Sequence, residues 1–484
     1  MSVKVLCLCL LGPLGLGCGG KKVDASLVFE HVTLIDGTDR GPQTNMSVAV
    51  QGTKIVAVAP SGTIKVPSTA SRIDATGMFL MPGLWDNHVH LEGYYEHAFP
   101  LFLANGVTTV REVGGDIDRV GYLRQEIQYG RILGPRLLIA GPTLDAPEVV
   151  KLVPRGRAAV ATPADAVRWV DSLAKLEVDQ FKVHSDTPRS AYFAILARAK
   201  ELKIPVVGHI PDSVSPREAI DSGQRTIEHD TRIGFANSPR GRGIGAAELA
   251  ALDAYRKQAG KSFDILKAFE IRLAAEDSVR HYYDLATAAK FAAEVAKRDV
   301  WFDPTLVVLE TQYRKNERAM RELPELKYVP KGALALEDGF PASPNPTDSM
   351  IAAGAARYAG VRDTTFRELV RAKAKFLAGT DSPVMPLVPG FSLHRELEAL
   401  VSMGLSPQEA IQAGSRNGAQ AAKRGDLGTV EADKSADFIL LSADPLANIA
   451  NTRSIQMVVV RGKMLERSTL DRMLRDAEAF AQQP

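Results

Sequence analysis

From residue 81 to residue 381 the chain repeats one pattern: a short apolar run, then an Ala-, Leu- and charge-rich stretch with helical spacing. The runs are "LMPGLWDNHVH", "GVTTVRE", "PRLLIAG", "DQFKVH", "IPVVGH", "QRTIEH", "DVWFDPTLVVL" and "KFLAGTD". Short apolar runs bounded by turn residues read as buried strands. Strands alternating with helices call for a parallel sheet with helices outside it. Eight such runs is the number that forms a (β/α)8 TIM barrel, so the fold class read here is α/β.

The two ends have a different texture. "SLVFEHVTLIDG" and "MSVAVQGTKIVAVAP" near the start, and "ADFILLSADP" and "IQMVVVRGKML" near the end, alternate apolar and polar residues as half-buried strands do. The expected organisation is a small β-sandwich domain assembled from residues 23–80 and 426–470 and a barrel over 81–425. Residues 471–484 are left as a C-terminal helix or tail. Barrel steps of about thirty residues leave an excess in 231–280 and 311–349, after the sixth and seventh strands. Loops after barrel strands sit at the active-site face, so both stretches are expected as a substrate lid. The second, "RELPELKYVPKGALALEDGFPASPNPTDS", is polar and proline-rich and also suits a plain flexible loop.

Charge excludes one class of function. A net charge of +2 offers no basic surface for nucleic acid. The first twenty residues carry Lys4, an apolar stretch and then small residues, the layout of an export signal. All three cysteines, Cys7, Cys9 and Cys18, lie there. The segment resembles a bacterial lipoprotein signal with Cys18 as the lipid-bearing residue. Gly15 stands where such signals favour leucine, with Leu14 one place further back, so a plain secretory signal stays open. Either reading places the chain in the periplasm or on a bacterial membrane.

Chemistry concentrates at the ends of the apolar runs. His88 and His90 lie two apart on a strand and face one side, where both can reach one metal ion. Lys182 ends another run, two residues before His184. An ammonium repels a cation, so a lysine in a metal site makes sense only if modified. Carbamylation would turn it into an anionic two-oxygen bridge. His209 and His229 close consecutive runs and suit a second metal. Asp381 closes the last and suits both metal binding and proton transfer. Each has a plain alternative: a packed histidine, a lysine reaching solvent, an aspartate capping a helix.

Taken together these positions resemble the amidohydrolase superfamily, in its imidazolonepropionase-like and Xaa-Pro dipeptidase-like branch. "SLHRELEALVSMGLSPQEAIQAGSRNGAQ" and the C-terminal "GTVEADKSADFILLSADPLANIANTRSIQMVVVRGKML" are similar to that family's helical and returning β segments. The resemblance implies two divalent metal ions, with His88, His90 and Asp381 on one, His209 and His229 on the other, and N-carboxylated Lys182 between them. Zinc suits imidazole and carboxylate; manganese, cobalt, nickel or iron also fit. It further implies hydrolysis of an amide bond in a dipeptide, acyl-amino acid or related amide, by a metal-bridged hydroxide with Asp381 shuttling the proton. A phosphotriester or lactone hydrolase using the same site, and a lipid-anchored binding protein without catalysis, stand as alternatives. His184 and Tyr94 are expected to touch substrate. Tyr95 and His97 are candidates for the mouth, and Arg232, Arg240 and Arg242 for a carboxylate clamp. The expected partners are a small amide or peptide substrate and further copies of the chain.

Overall fold

The computed structural model describes residues 21–92, 94–315, 317–331, 347–384 and 386–483. The expected export segment 1–20 with Cys18, and 332–346 of the second insertion, lie outside the described residues.

The chain opens on strands β1 (Lys21–Lys22), β2 (Leu27–Leu34), β3 (Gln43–Gln51), β4 (Lys54–Pro60), β5 (Ile64–Lys65), β6 (Ser71–Asp74) and β7 (Phe79–Pro82). The parallel strands follow. They are β8 (Leu84–Val89), β9 (Val107–Glu112), β10 (Arg136–Ile139), β11 (Thr143–Asp145), β12 (Arg157–Ala159), β13 (Phe181–Val183), β14 (Val206–Gly208), β15 (Thr226–Glu228), β16 (Trp301–Asp303) and β17 (Lys375–Phe376). Strands β18 (Phe438–Leu441), β19 (Ile455–Val460) and β20 (Lys463–Glu466) close the chain's β-structure before a final helix, Arg467–Ala481.

All eight expected runs are strands, and their pairing is parallel. They form three arcs, ordered β10-β9-β8, β12-β11-β13-β14 and β15-β16-β17. Single backbone bonds run from arc to arc. Asn87 donates to the Ala378 carbonyl at 3.0 Å, Asp179 to Ile139 at 2.9 Å and Arg225 to Val206 at 2.8 Å. The result is an α/β fold of the TIM-barrel type. The β11–β12 pair is an addition that the sequence pattern does not announce.

One apolar cluster runs through the strands and the helix faces laid on them. The helix Pro163–Lys175 shows why these segments are helical. Thr162 accepts from the Asp165 N–H while Asp165 reaches back to the Thr162 N–H, and Pro163 opens the first turn. Ala166, Val170 and Leu173 then fall on one buried face at helical spacing. Thr162→Ala would remove that cap at a cost of about 1 kcal/mol.

The terminal segments do meet, in one hydrogen-bonded network. Their hydrogen bonding is one eight-stranded mixed sheet, ordered β20-β19-β18-β7-β2-β3-β4 with β6 on β2. The reason lies in β2. Leu27–Glu30 pairs with β6 and Thr33–Leu34 with β7, and between them His31 takes a φ of 62°. That left-handed residue re-aims the strand, as a bulge does. Residues from both stretches then share one core, with Phe29 and Phe438 edge to face at 5.2 Å.

The first insertion is helical: Ile233–Ala236, then a hairpin of Gly241–Ala259 and Ile265–His281. Of the expected tail, residues 471–481 belong to the final helix, whose Phe480 stacks on His97 at 3.8 Å.

Candidate metal centre

His88 is in β8 and His90 just past it. Lys182 lies inside β13, His209 and His229 directly follow β14 and β15, and Asp381 lies beyond β17. Asp381 is tied to the first strand: its N–H donates to the His88 carbonyl at 2.8 Å, and His90 N–H donates to Ser382 at 2.9 Å. Its carboxylate then reaches three imidazoles. Oδ1 lies 3.4 Å from His88 Nε2 and 3.2 Å from His90 Nε2, and Oδ2 lies 3.8 Å from His229 Nε2. His209 joins by ring contact, with its centroid 4.8 Å from that of His229. The donor atoms of His88, His90 and Asp381 form one group able to hold a cation.

Two ligand positions need unusual backbone. His229 has φ 60° and Asp381 φ 61°. Such left-handed residues other than glycine carry strain and cluster at functional sites. At His229 the effect is concrete. Strand alternation from Thr226 and Glu228, both inside the barrel, would send residue 229 to the other face. The turned φ aims it into the mouth instead.

Every imidazole is held from outside by its Nδ1. His88 Nδ1 meets Glu228 at 3.0 Å and His90 Nδ1 meets the Gly114 carbonyl at 3.2 Å. His209 Nδ1 meets Ser185 Oγ at 2.9 Å and His229 Nδ1 meets Thr305 Oγ1 at 2.5 Å. A carboxylate or carbonyl at Nδ1 makes that nitrogen the donor and leaves the Nε2 lone pair facing inward, as metal-ligating histidines require. Glu228 is itself gripped by Arg111, at 2.9 and 3.1 Å, and Arg111 reaches Asp303 at 3.0 Å. Asp86 performs a similar service for the last strand, accepting from Thr380 N–H at 3.0 Å and its hydroxyl at 2.7 Å.

The electrostatics suit a cation. Burial, reinforced by the Lys182 charge, pushes His88 down to about 3, so it presents a neutral lone pair. Burial likewise lowers His209 and His229. Burial alone would raise Asp381, but the His90 hydrogen bond, and the positive charge His90 gains beside it despite its own burial, hold the carboxylate ionised. Lys182 is the anomaly. It is 2% exposed, and its Nζ stands 3.5 Å from His88 Nε2 with no carboxylate within ion-pair distance among the described residues. Burial depresses its pKa. An unpaired buried ammonium facing imidazole lone pairs is costly; a carboxylated lysine sharing cations with them is not. The donor set fits a cation at His88, His90 and Asp381, with His209, His229 and Lys182 beside it.

The remaining candidates divide. His184 stacks on His209 at 4.0 Å, so it borders the site, and its Nδ1 lies 3.6 Å from Asp145. Tyr94 is buried at the turn after the first strand. Tyr95 lies under Arg119, and His97 is docked on the final helix rather than at the mouth. The arginine clamp is not formed. Arg232 is engaged by Glu248 at 2.6 Å, Arg240 covers Tyr282 and Arg242 is exposed. Arg111, Glu228, Ser185 and Thr305 were not among the expected residues. Of these, Arg111 and Glu228 left a trace, as charges inside apolar strand runs.

An α/β fold of this type, with four imidazoles, a lysine and a carboxylate gathered at its strand tips, defines a class of hydrolytic enzymes working at a barrel rim. Residues 79–465 match the Amidohydrolase family, and the chain belongs to it. Among curated relatives, the adenine deaminase of Chelativorans sp. (strain BNC1) is 30% identical over 203 residues, 39% of this chain and 32% of that protein. The chain thus spans about a third of that relative's length. Among solved structures, a bottromycin amidohydrolase is 21% identical with a TM-score of 0.71, covering 94% of this chain and 90% of its own. A Xaa-Pro dipeptidase with methionine bound in its active site is 20% identical with a TM-score of 0.63, covering 91% and 99%. At such identities the likeness concerns the fold.

Proposed function

We propose that this chain is a metal-dependent hydrolase of amide bonds, acting on a dipeptide, an acyl-amino acid or a related small amide. The observation that carries the reading is the inward convergence of three Nε2 atoms on Asp381, beside the buried Lys182. His88, His90 and Asp381 would hold one divalent cation, zinc in the first instance. His209 and His229 would hold another, with Lys182, N-carboxylated, serving both. When bound, such ions polarise a carbonyl and make water acidic. The arc-to-arc hydrogen bonds support a fully closed barrel as the frame.

The chain's own residues do the rest. Asp381 is placed to take a proton at its carboxylate and return it to the departing nitrogen, a general base that becomes a general acid. Glu228 and Gly114 keep His88 and His90 in the tautomer that offers Nε2. His184 on the rim is the foremost candidate for substrate contact, with Tyr94 as part of the wall. We further propose that residues 1–20 direct export and that Cys18 carries a lipid.

Elemental analysis of purified protein, paired with a substrate panel, tests this. Two metal equivalents and release of amine from acyl-amino acids or Xaa-Pro dipeptides are expected. Turnover of lactones or phosphotriesters alone would shift the reaction while keeping the site. Deamination of adenine would move the reading to the reaction named for the curated relative. Protein with neither metal nor turnover would overturn it in favour of a binding protein.

A further inference from the structure

The helical hairpin Gly241–His281 is joined to the barrel in an unusual way. Its apolar residues form small clusters apart from the barrel core, Leu252, Phe263 and Ala268 in one, and Ala275 and Val279 with Phe235 of the helix Ile233–Ala236 in another. A cleft of about 710 Å³ separates part of it from the loop after β14. What spans the join is charge. Arg256 Nη2 lies 2.5 Å from Asp186, and Arg272 Nη2 lies 2.6 Å from that same oxygen. Arg272 also meets Asp212, through Nε at 3.0 Å and Nη2 at 2.8 Å.

The two aspartates are not surface residues. The side chains of Asp186 and Asp212 are 2% and 7% exposed. Asp186 is four residues past Lys182, and Asp212 three past His209. Asp212 N–H donates to the Ser185 carbonyl at 2.9 Å, which stitches the two loops together. Ser185, the neighbour of Asp186, holds His209 Nδ1. Two guanidinium groups on the hairpin therefore grip the residues flanking the hydroxyl that aims His209.

We propose that Arg256 and Arg272 are positioning residues: by gripping Asp186 and Asp212 they hold Ser185 against His209, so seating the hairpin completes the His209–His229 half of the metal centre. The hairpin is an ionic lid, fastened to the loops after β13 and β14 by buried charge pairs. This rests on the two-metal reading above. Losing one partner of a buried pair strands the other, so the grip is sensitive to single changes. Outer residues that orient a ligand typically change metal affinity 10–100-fold.

The test uses the full chain loaded with zinc and follows metal loss to a chelator, with protease cutting of the hairpin as a second readout. In R256Q/R272Q one of the two equivalents should leave at least about tenfold faster while the other keeps its rate, and the hairpin should be cut faster. Arg272→Lys should restore part of the effect, and guards against a double variant that fails to fold. K267Q, a charge change on the exposed side of the hairpin, should behave as the wild type. Unchanged release and cutting in R256Q/R272Q, from a wild type that holds two equivalents, would overturn the lid alone. A wild type that binds no metal would overturn both it and the functional reading.

Discussion

Asp381 is the residue where position and chemistry meet, since its carboxylate touches three imidazoles from a strained backbone. Asp381→Asn keeps an oxygen ligand but cannot carry the proton. It should retain most of the metal and lose roughly 10²–10⁴-fold in kcat; kcat within a few-fold of wild type would remove the shuttle role. Glu228 acts one step back. Glu228→Gln weakens the hold on His88 and leaves Arg111 short of charge, so zinc affinity, read by chelator competition, should fall at least about tenfold. The residues gathered at the candidate site were legible because each stands at or near the end of an apolar run, where a polar side chain is conspicuous. Glu228 was not, because alternation says only that it faces inward, while what it holds is set by β8 and β9. His97 misled for the opposite reason. It follows the first strand closely, yet the final helix, nearly four hundred residues later, covers it.

At the scale of elements, a strand end is fixed by what its neighbours leave room for. Gly208 closes β14 with φ 122°, and a Cβ there would lie 2.2 Å from the Val183 carbonyl and 2.9 Å from Lys182 Cδ. Alanine fits neither the conformation nor the space. Gly208→Ala should cost about 1–3 kcal/mol in urea unfolding and lower metal content by displacing Lys182. Normal metal content in a folded G208A protein would show that β13 and β14 can shift without disturbing the lysine. The eight barrel strands could be read because buried parallel strands are apolar throughout. Strands β11 and β12, "TLD" and "RAA", sit outside any apolar run that would announce them. The hairpin was visible only as surplus length, for its helices expose much of their surface and its cores are small. The bend at His31, which carries β2 from β6 to β7, rests on a single φ that no hydrophobic pattern reports.

At the scale of the whole molecule, two properties belong to no single site. No helix among the described residues is long and apolar enough to cross a membrane. Any membrane attachment by a lipid on Cys18 should therefore vanish in Cys18→Ser, with the protein moving to the soluble fraction. Persistent membrane binding would refute that anchor. The second property is how stability responds to pH. Glu396, on the helix Phe391–Met403, is fully buried and accepts from the Val307 N–H at 2.9 Å, capping the helix Leu306–Arg314 from across the fold. Burial raises its carboxyl from an ordinary 4.5 to about 8, with Asp86 and Glu310 pushing the same way. Between those values the folded chain holds a proton that the unfolded chain has released. Glu396 therefore favours folding fully below pH 4.5, and that contribution fades as pH rises towards 8, by up to about 1.4 kcal/mol per pH unit. Glu396→Gln keeps the acceptor for Val307 and has no proton to lose. Urea midpoints at pH 6, 7 and 8 should fall less steeply for E396Q than for wild type, the two curves converging on the acid side. Comparing the two proteins cancels whatever the histidines and metals contribute. Parallel curves would mean that Glu396 keeps one charge state across this range and that its cap on Leu306–Arg314 is pH-independent.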